Sequence, residues 1–241
     1  MSKPIDNLHV QWARAGALFN ITPARQSPDL ERLLIDTARA AHADARLFIM
    51  AATWLCRYST YIAKHRLKRM ILDEMPADST APLGLLLETA QQYTGGDRFN
   101  AALAECSPAS TAQPMFDIER SNPALARLAE RRASDLSRKW NLWMPTFEPK
   151  FDALRPPAWI ITHNPAYADR AIFRGDLRAS ILIELENNPA VGRSELDLAR
   201  VCGVTRAAVR EALENLELAG RIDRWPDQNR LTVLLVESHG A

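Results

Sequence analysis

The sequence has few cysteines and no long apolar run. The first absence argues against a disulfide-stabilised protein, and the second against a membrane-spanning one. Its three cysteines, Cys56, Cys106 and Cys202, are far apart and odd in number. They form neither a disulfide framework nor a metal-ligand pair, and they fit a reducing compartment. The most apolar window, Leu47 to Cys56, ends at Arg57 after ten residues, whereas a membrane-spanning helix needs about 20. The N-terminus lacks the apolar core of a signal peptide, so we expect a cytoplasmic protein with no membrane partner.

Net charge and catalytic motifs are also nearly absent. The 30 lysines and arginines almost balance the 29 aspartates and glutamates, so bulk charge alone identifies no partner. The chain has no glycine-rich phosphate loop, no Gly-x-Ser-x-Gly, no His-Glu-x-x-His and no Cys-x-x-Cys, which are common signatures of catalytic sites. Its five histidines are scattered singly. The sequence therefore predicts no enzyme, no cofactor and no metal site.

Residues 1–174 are predicted to form a helical domain. Ser27-Pro28-Asp29 provides a cap, a proline suited to the first helical position and an acid near the positive end of the dipole. Residues 45–72 form one predicted helix, whose wide apolar face indicates the centre of a bundle. A further helix is predicted from Asn122 to about Trp140. Prolines interleave with aromatics over residues 140–159, which predicts an irregular segment packed on this domain.

Residues 175–241 are predicted to form a separate module that begins with two helices. The first covers residues 177–188, and Ser194 can cap a second over residues 195–202 through a capping-box pattern. Gly203 supplies a tight turn, and Thr205 can cap a third helix that ends at Gly220. The apolar residues of this third helix recur at the spacing of one buried face, namely Val209, Leu213 and Leu216.

Two short extended runs flank the turn-rich residues 226–229 and predict a β-hairpin. The order helix, helix, turn, capped helix, hairpin is that of a winged helix-turn-helix. The predicted fold is therefore mainly α, with an N-terminal helical domain and a C-terminal winged helix-turn-helix that carries a small β-hairpin wing.

The third helix of the module is predicted to enter the major groove of DNA. Opposite its buried face, Arg206 and Arg210 flank the small side chain of Ala207, and their forked donors suit guanine or phosphate. Near the hairpin tip, Arg224 and Arg230 could reach the phosphate backbone, and Asn229 a minor-groove edge. The candidate DNA-binding residues are Arg193, Arg200, Thr205, Arg206, Ala207, Arg210, Arg224, Asn229 and Arg230.

Residues 194–199 followed by residues 203–213 resemble the helix-turn-helix of GntR-type bacterial transcription regulators. In that family the arginine after the helix cap and the arginine after the buried valine contact DNA. The resemblance implies that role for Arg206 and Arg210. It covers about 60 of the 241 residues. The module lies last in this chain, whereas in that family it comes first.

The charge of the module leaves more than one function open. Residues 176–241 contain eight arginines and no lysine against four aspartates and seven glutamates, and a net negative charge is unfavourable for phosphate binding. We expect Glu184, Glu214 and Glu217 to lie away from the arginines.

The predicted function is a sequence-specific transcription regulator, a repressor, which binds double-stranded DNA as a homodimer. Its N-terminal domain would mediate dimerisation or bind an effector or a protein partner. The alternatives are a winged-helix interaction subunit of a bacterial DNA-maintenance or phage-defence complex, and an accessory protein to an enzyme encoded elsewhere.

Overall fold

The computed structural model describes residues 4–227 and 230–236. Within these residues the chain is mainly helical, as predicted, with fourteen α-helices and two small sheets. The helices are α1 Pro4–Arg14, α2 Leu30–Ala40, α3 Ala45–Tyr58, α4 Lys64–Glu74, α5 Ala81–Thr94, α6 Asn100–Leu103, α7 Asp117–Arg120, α8 Pro123–Arg132, α9 Asp135–Lys139, α10 Pro157–His163, α11 Tyr167–Ile172, α12 Leu177–Asn187, α13 Glu195–Cys202 and α14 Arg206–Leu218. The strands are β1 Gln113–Pro114, β2 Leu142–Trp143, β3 Ile222–Asp227 and β4 Arg230–Leu235.

Two hydrophobic cores follow each other along the chain. The first extends from Leu8 to Tyr167 and is centred on α2, α3 and α5. The second extends from Phe173 to Val233 and is enclosed by α12, α13, α14 and the antiparallel pair of β3 and β4. We call the parts around these cores the helical body and the C-terminal module.

The prediction of one helix over residues 45–72 is wrong. The chain forms α3, then a 3₁₀ turn at Ser59–Tyr61, and then α4. The backbone groups between the two helices bind distant partners instead of each other. The N–H of Ala63 donates to the buried Glu31 carboxylate at 2.7 Å, and the Tyr61 carbonyl accepts from Arg170 at 3.0 Å. These contacts satisfy polar groups that a continuous helix would have paired internally.

The helix predicted from Asn122 to Trp140 is also interrupted. Asn122 caps its start as expected, but α8 ends at Arg132 and a new cap at Ser134 opens α9. The segment beyond Trp140 is irregular except for short pieces, as predicted. Trp140 is buried on the first core and lies against Gly84 of α5, where a β-carbon would be 2.2 Å from the ring.

A buried network of charges joins the body to the module. Arg66 of α4 donates to both oxygens of Asp29 at 2.6 and 2.7 Å and to Glu31 at 3.1 Å. Its Nε also donates to Glu184 of α12 at 2.9 Å, which connects the two cores. On the other side of Glu31, Arg170 donates at 2.7 Å. Burial favours a higher pKa for Asp29, but the hydrogen bond from Arg66 lowers that pKa below its ordinary value.

Gly175 lies where the chain passes from the body to the module. Its φ of +60° suits glycine, and a β-carbon there would lie 1.9 Å from the Ile62 carbonyl oxygen. Its own carbonyl accepts the first N–H of α4, that of Lys64, at 3.1 Å. The turn therefore requires a residue without a side chain on both conformational and steric grounds.

We expect Gly175→Ala to lower the free energy of unfolding by more than the left-handed backbone alone costs, which is about 1–2 kcal/mol. Gly220→Ala is the matched control, because Gly220 has a φ of +65° and nothing within 4 Å of the added β-carbon. Urea unfolding of both variants measures the difference. An equal loss in the two variants would show that the backbone at Gly175 moves away from Ile62 at no cost.

The secondary structure of the C-terminal module agrees with its sequence signals. Ser194 and Thr205 cap α13 and α14, and Gly203 is left-handed with a φ of +65°. β3 and β4 pair antiparallel, with Ile222 opposite Leu235 and Asp227 opposite Arg230. Among the described helices, none has the length and apolar character required to cross a bilayer.

Candidate nucleic-acid interface

Helix α14 has one buried side and one exposed side. Val209, Leu213 and Leu216 are fully buried in the second core, as their spacing predicts. The Thr205 hydroxyl accepts the N–H of Ala208 at 3.2 Å and so fixes the first turn. Ala207 is exposed in this turn, and its short side chain leaves the backbone accessible to a flat or grooved partner.

The two candidate base-reading arginines lie on the exposed side, as predicted. The side chains of Arg206 and Arg210 are 62% and 54% exposed. Both contact the carboxylate of Glu195, the first residue of α13. Arg206 Nε lies 2.8 Å from Glu195 Oε2, and Arg210 Nη2 lies 3.1 Å from the same oxygen. Since the Glu195 side chain is only 9% exposed, it lies beneath the two guanidinium groups and holds them side by side.

These contacts also determine the charge of the cluster. Hydrogen bonds from Arg210 and Arg206 hold the pKa of the Glu195 carboxyl below its usual range, and Glu195 raises the pKa of Arg210. Two guanidinium groups share one carboxylate, which leaves the cluster with one excess positive charge. The guanidinium groups retain exposed N–H donors, because a carboxylate shared by two arginines cannot accept all ten of their N–H bonds.

Two further candidate arginines lie at the edges of the module. Arg193 is exposed at the end of the 3₁₀ turn Pro189–Arg193. Arg200 is exposed on α13 and lines a cleft of about 330 Å³ beside α4, together with Arg32 and Arg69 of the body. The structure does not place Arg200 in the ion-pair cluster of Glu195.

The hairpin residues differ from their predicted arrangement. Arg224 is largely buried, and its Nε donates to Glu217 Oε2 at 2.7 Å, so it is directed at the last turns of α14. The expectation that Glu217 lies away from the arginines is therefore wrong, since the two side chains meet where β3 passes α14. Asn229 lies outside the described residues. The backbone of Arg230 pairs with Asp227, but its side chain is not among those that the structure describes.

Sequence reasoning missed the role of Glu195, which it treated only as the first residue of the second helix. The residue is eleven and fifteen positions from its two partners. A local sequence pattern does not predict a contact over this distance along the chain. Only the crossing of α13 and α14 could have indicated it, because that crossing brings the first turns of both helices together.

The described residues offer no alternative metal or thiol site. They contain no group of three or more histidine, cysteine or acidic side chains that could hold a metal ion. Burial raises the pKa of Cys56 to about 11 and the pKa values of Cys106 and Cys202 to about 12. Since the thiolate is the reactive form, these cysteines are almost entirely protonated at neutral pH.

No protein-family model, curated protein or solved structure matches the chain. A functional assignment therefore depends on the residues and geometry described above.

Proposed function

We propose that the C-terminal module is a winged helix-turn-helix and that the protein is a sequence-specific DNA-binding regulator of transcription, a repressor. The observation that carries the proposal is the pair of exposed guanidinium groups on the first two turns of α14, with Ala207 between them. Arginine pairs with the O6 and N7 atoms of guanine in the major groove. In a helix-turn-helix the first residues of the second helix meet base edges.

The negative charge of the module is unfavourable for phosphate binding, but ion pairs reduce this effect. Glu184 is bound to Arg66 of the body, and Glu195 is shared by two arginines. These carboxylates therefore do not project unpaired towards an approaching phosphate. Because few free cations remain, direct base contacts must supply a large share of the affinity.

The regulator is proposed to bind double-stranded DNA as a homodimer, with the helical body supplying the contact between copies or with a partner protein. Two modules related by a two-fold axis would meet half-sites about 34 Å apart, one turn of the double helix. A symmetric operator is the expected target.

Selection of bound fragments from a random duplex pool by the full-length protein tests this proposal. We expect enrichment of a two-fold symmetric motif and a steep fall in affinity with added salt, since phosphate neutralisation releases counterions. Failure to enrich any motif, together with binding too weak to show a salt dependence, would contradict the proposal.

A second candidate function has its own support, namely an interaction module that docks onto another protein. Trp225 is 62% exposed and Leu234 is 49% exposed. They share the outer face of the hairpin, because Asp223 lies opposite Leu234 and Trp225 lies opposite Thr232. An exposed apolar pair of this kind is typical of protein contacts. Under this alternative, Trp225→Ala abolishes partner binding, and the duplex selection enriches nothing.

A further inference from the structure

A second basic site lies at the junction of the helical body and the C-terminal module. A cleft of about 570 Å³ opens between the end of α3, the start of α4, the loop after α5 and the segment from α11 to α12. Its volume falls within the range of about 300–1,000 Å³ that is usual for small-molecule sites. It is separate from the Glu195 cluster, because its lining includes no residue of α13 or α14.

Positive charge predominates in this junction cleft. Its lining contains two carboxylates, Asp97 and Asp176, and five cations, Arg57, Lys64, Arg98, Arg174 and Arg178. Asp176 is already occupied, since it caps α12 and accepts two hydrogen bonds from Arg178 at 2.5 and 3.0 Å.

Three of the remaining cations have no acidic partner of their own. Within the described residues, no carboxylate lies within ion-pair distance of Arg57, Lys64 or Arg174. Arg57 instead lies over the aromatic rings of Tyr58 and Phe151. The side chains of Arg57 and Arg174 are exposed, and that of Lys64 is half-buried. All three are therefore accessible to a ligand in the cleft.

Arg98 adds a positive charge that the protein holds in place through uncharged acceptors. Its Nε donates to the Ser59 carbonyl at 2.8 Å, and its Nη2 donates to the carbonyls of Ile62 at 3.0 Å and Arg174 at 2.7 Å. None of these acceptors carries a formal charge. Burial, and then the neighbouring charge of Arg174, lower the pKa of Arg98, and the charge of Asp176 offsets only part of this shift. A part-buried cation with no carboxylate bound to it is unfavourable, and an anion in the cleft would relieve this.

We propose that the junction cleft binds a small phosphate-bearing molecule, with Lys64, Arg98 and Arg174 around its phosphate groups. Arginine and lysine together are the usual ligands of multiply charged phosphates. Lys64 and Arg98 belong to the body, while Arg174 and Arg178 lie at the start of the module. A ligand held by both sets fastens the two parts together. The proposal goes beyond DNA binding and does not depend on it.

Calorimetric titration of the full-length protein with ATP and with pyrophosphate, without DNA, tests the site. We expect saturable binding of at least one probe, and at least a tenfold weaker affinity in the double variant Lys64→Gln, Arg174→Gln. If the double variant folds poorly, the single variant Arg57→Gln tests the same site, because Arg57 is an exposed side chain of the cleft lining. It should also bind the probe more weakly. Binding should also raise the melting temperature, because a ligand of the native state stabilises that state.

The control is the double variant Arg127→Gln, Arg131→Gln, which removes two exposed charges from α8 and should leave both affinities unchanged. Equal losses in the control and cleft variants, or no saturable binding of either probe, would overturn the proposal. Phosphate could also come from the DNA backbone. If the cleft variants weaken binding to random duplex DNA while neither small probe binds, the cleft is a DNA contact and the proposal is wrong.

Discussion

Arg210→Ala is expected to weaken binding to the selected DNA site by about 1–3 kcal/mol and to relax the sequence preference at one base pair. The reason is geometric. Arg210 is exposed on the outer side of α14 and is already aligned by Glu195, so little side-chain freedom is lost when it meets a base. Fluorescence anisotropy with a panel of single-base duplex variants measures both effects. Arg206→Ala should relax the preference at a different base pair.

Arg230→Ala is the contrasting variant, because a hairpin arginine that contacts phosphate should weaken binding to all sequences alike. If Arg210→Ala and Arg230→Ala changed the sequence panel in the same way, the division between base-reading and phosphate-binding residues would be wrong. Arg127→Ala on α8 provides a control for the loss of one exposed positive charge far along the chain from the module.

Glu195→Gln separates alignment of the arginines from their charge. The substitution removes a negative charge beneath the two guanidinium groups, so affinity for random duplex DNA should rise. It also removes the shared acceptor that holds them together, so the ratio of specific to random affinity should fall. A variant with unchanged discrimination would show that Glu195 is only a counter-ion.

The C-terminal module was predictable because its signals are local. A hydroxyl at Ser194 or Thr205 caps the N–H groups two or three residues ahead, and the buried face of α14 follows a spacing of three and four residues. Such features depend on the chain within one or two helical turns. The bounds of α12, α13 and α14 therefore agree closely with their sequence patterns.

The break between α3 and α4 was not predictable from local pattern. The apolar spacing continues across residues 59–63, and what interrupts the helix is a set of partners from elsewhere. Glu31 accepts from Ala63, Arg170 donates to Tyr61, and Arg98 donates to Ser59. Each partner is at least 32 residues away. Periodicity contains no information about such contacts.

At the candidate interface, too, the sequence pattern predicts exposure but not contacts between distant residues. Solvent exposure of Arg206 and Arg210 follows from the helix period and was predicted. The pairing of Arg224 with Glu217 and of both exposed α14 arginines with Glu195 depends on how β3 and α13 pack against α14. Charge counting along the chain could not distinguish arginines that are free from arginines that are already paired.

The buried network that joins the two parts of the protein leads to the largest expected effect on stability. We expect Glu31→Gln to lower the free energy of unfolding by about 3–5 kcal/mol, the usual cost of removing one partner from a buried ion pair. Glu31 is fully buried and accepts from Arg66, from Arg170 and from the backbone of Ala63. Glutamine keeps the shape and one carbonyl oxygen, so the loss reports the missing charge rather than a cavity.

Glu74→Gln is the matched control for Glu31→Gln, since Glu74 accepts two hydrogen bonds from Arg32 on a partly exposed surface. Exposed pairs contribute about 0–1 kcal/mol, so urea unfolding should separate the two variants clearly. Since Arg66 also holds Glu184 of α12, the loss at Glu31 should extend to both parts of the protein. The unfolding transitions followed by fluorescence and by circular dichroism should then move together to lower urea concentration. A loss below about 1 kcal/mol in Glu31→Gln would mean that the remaining carboxylates, Asp29 and Glu184, are enough for Arg66 and Arg170. The charge of Glu31 would then not be needed to hold the body and the module together.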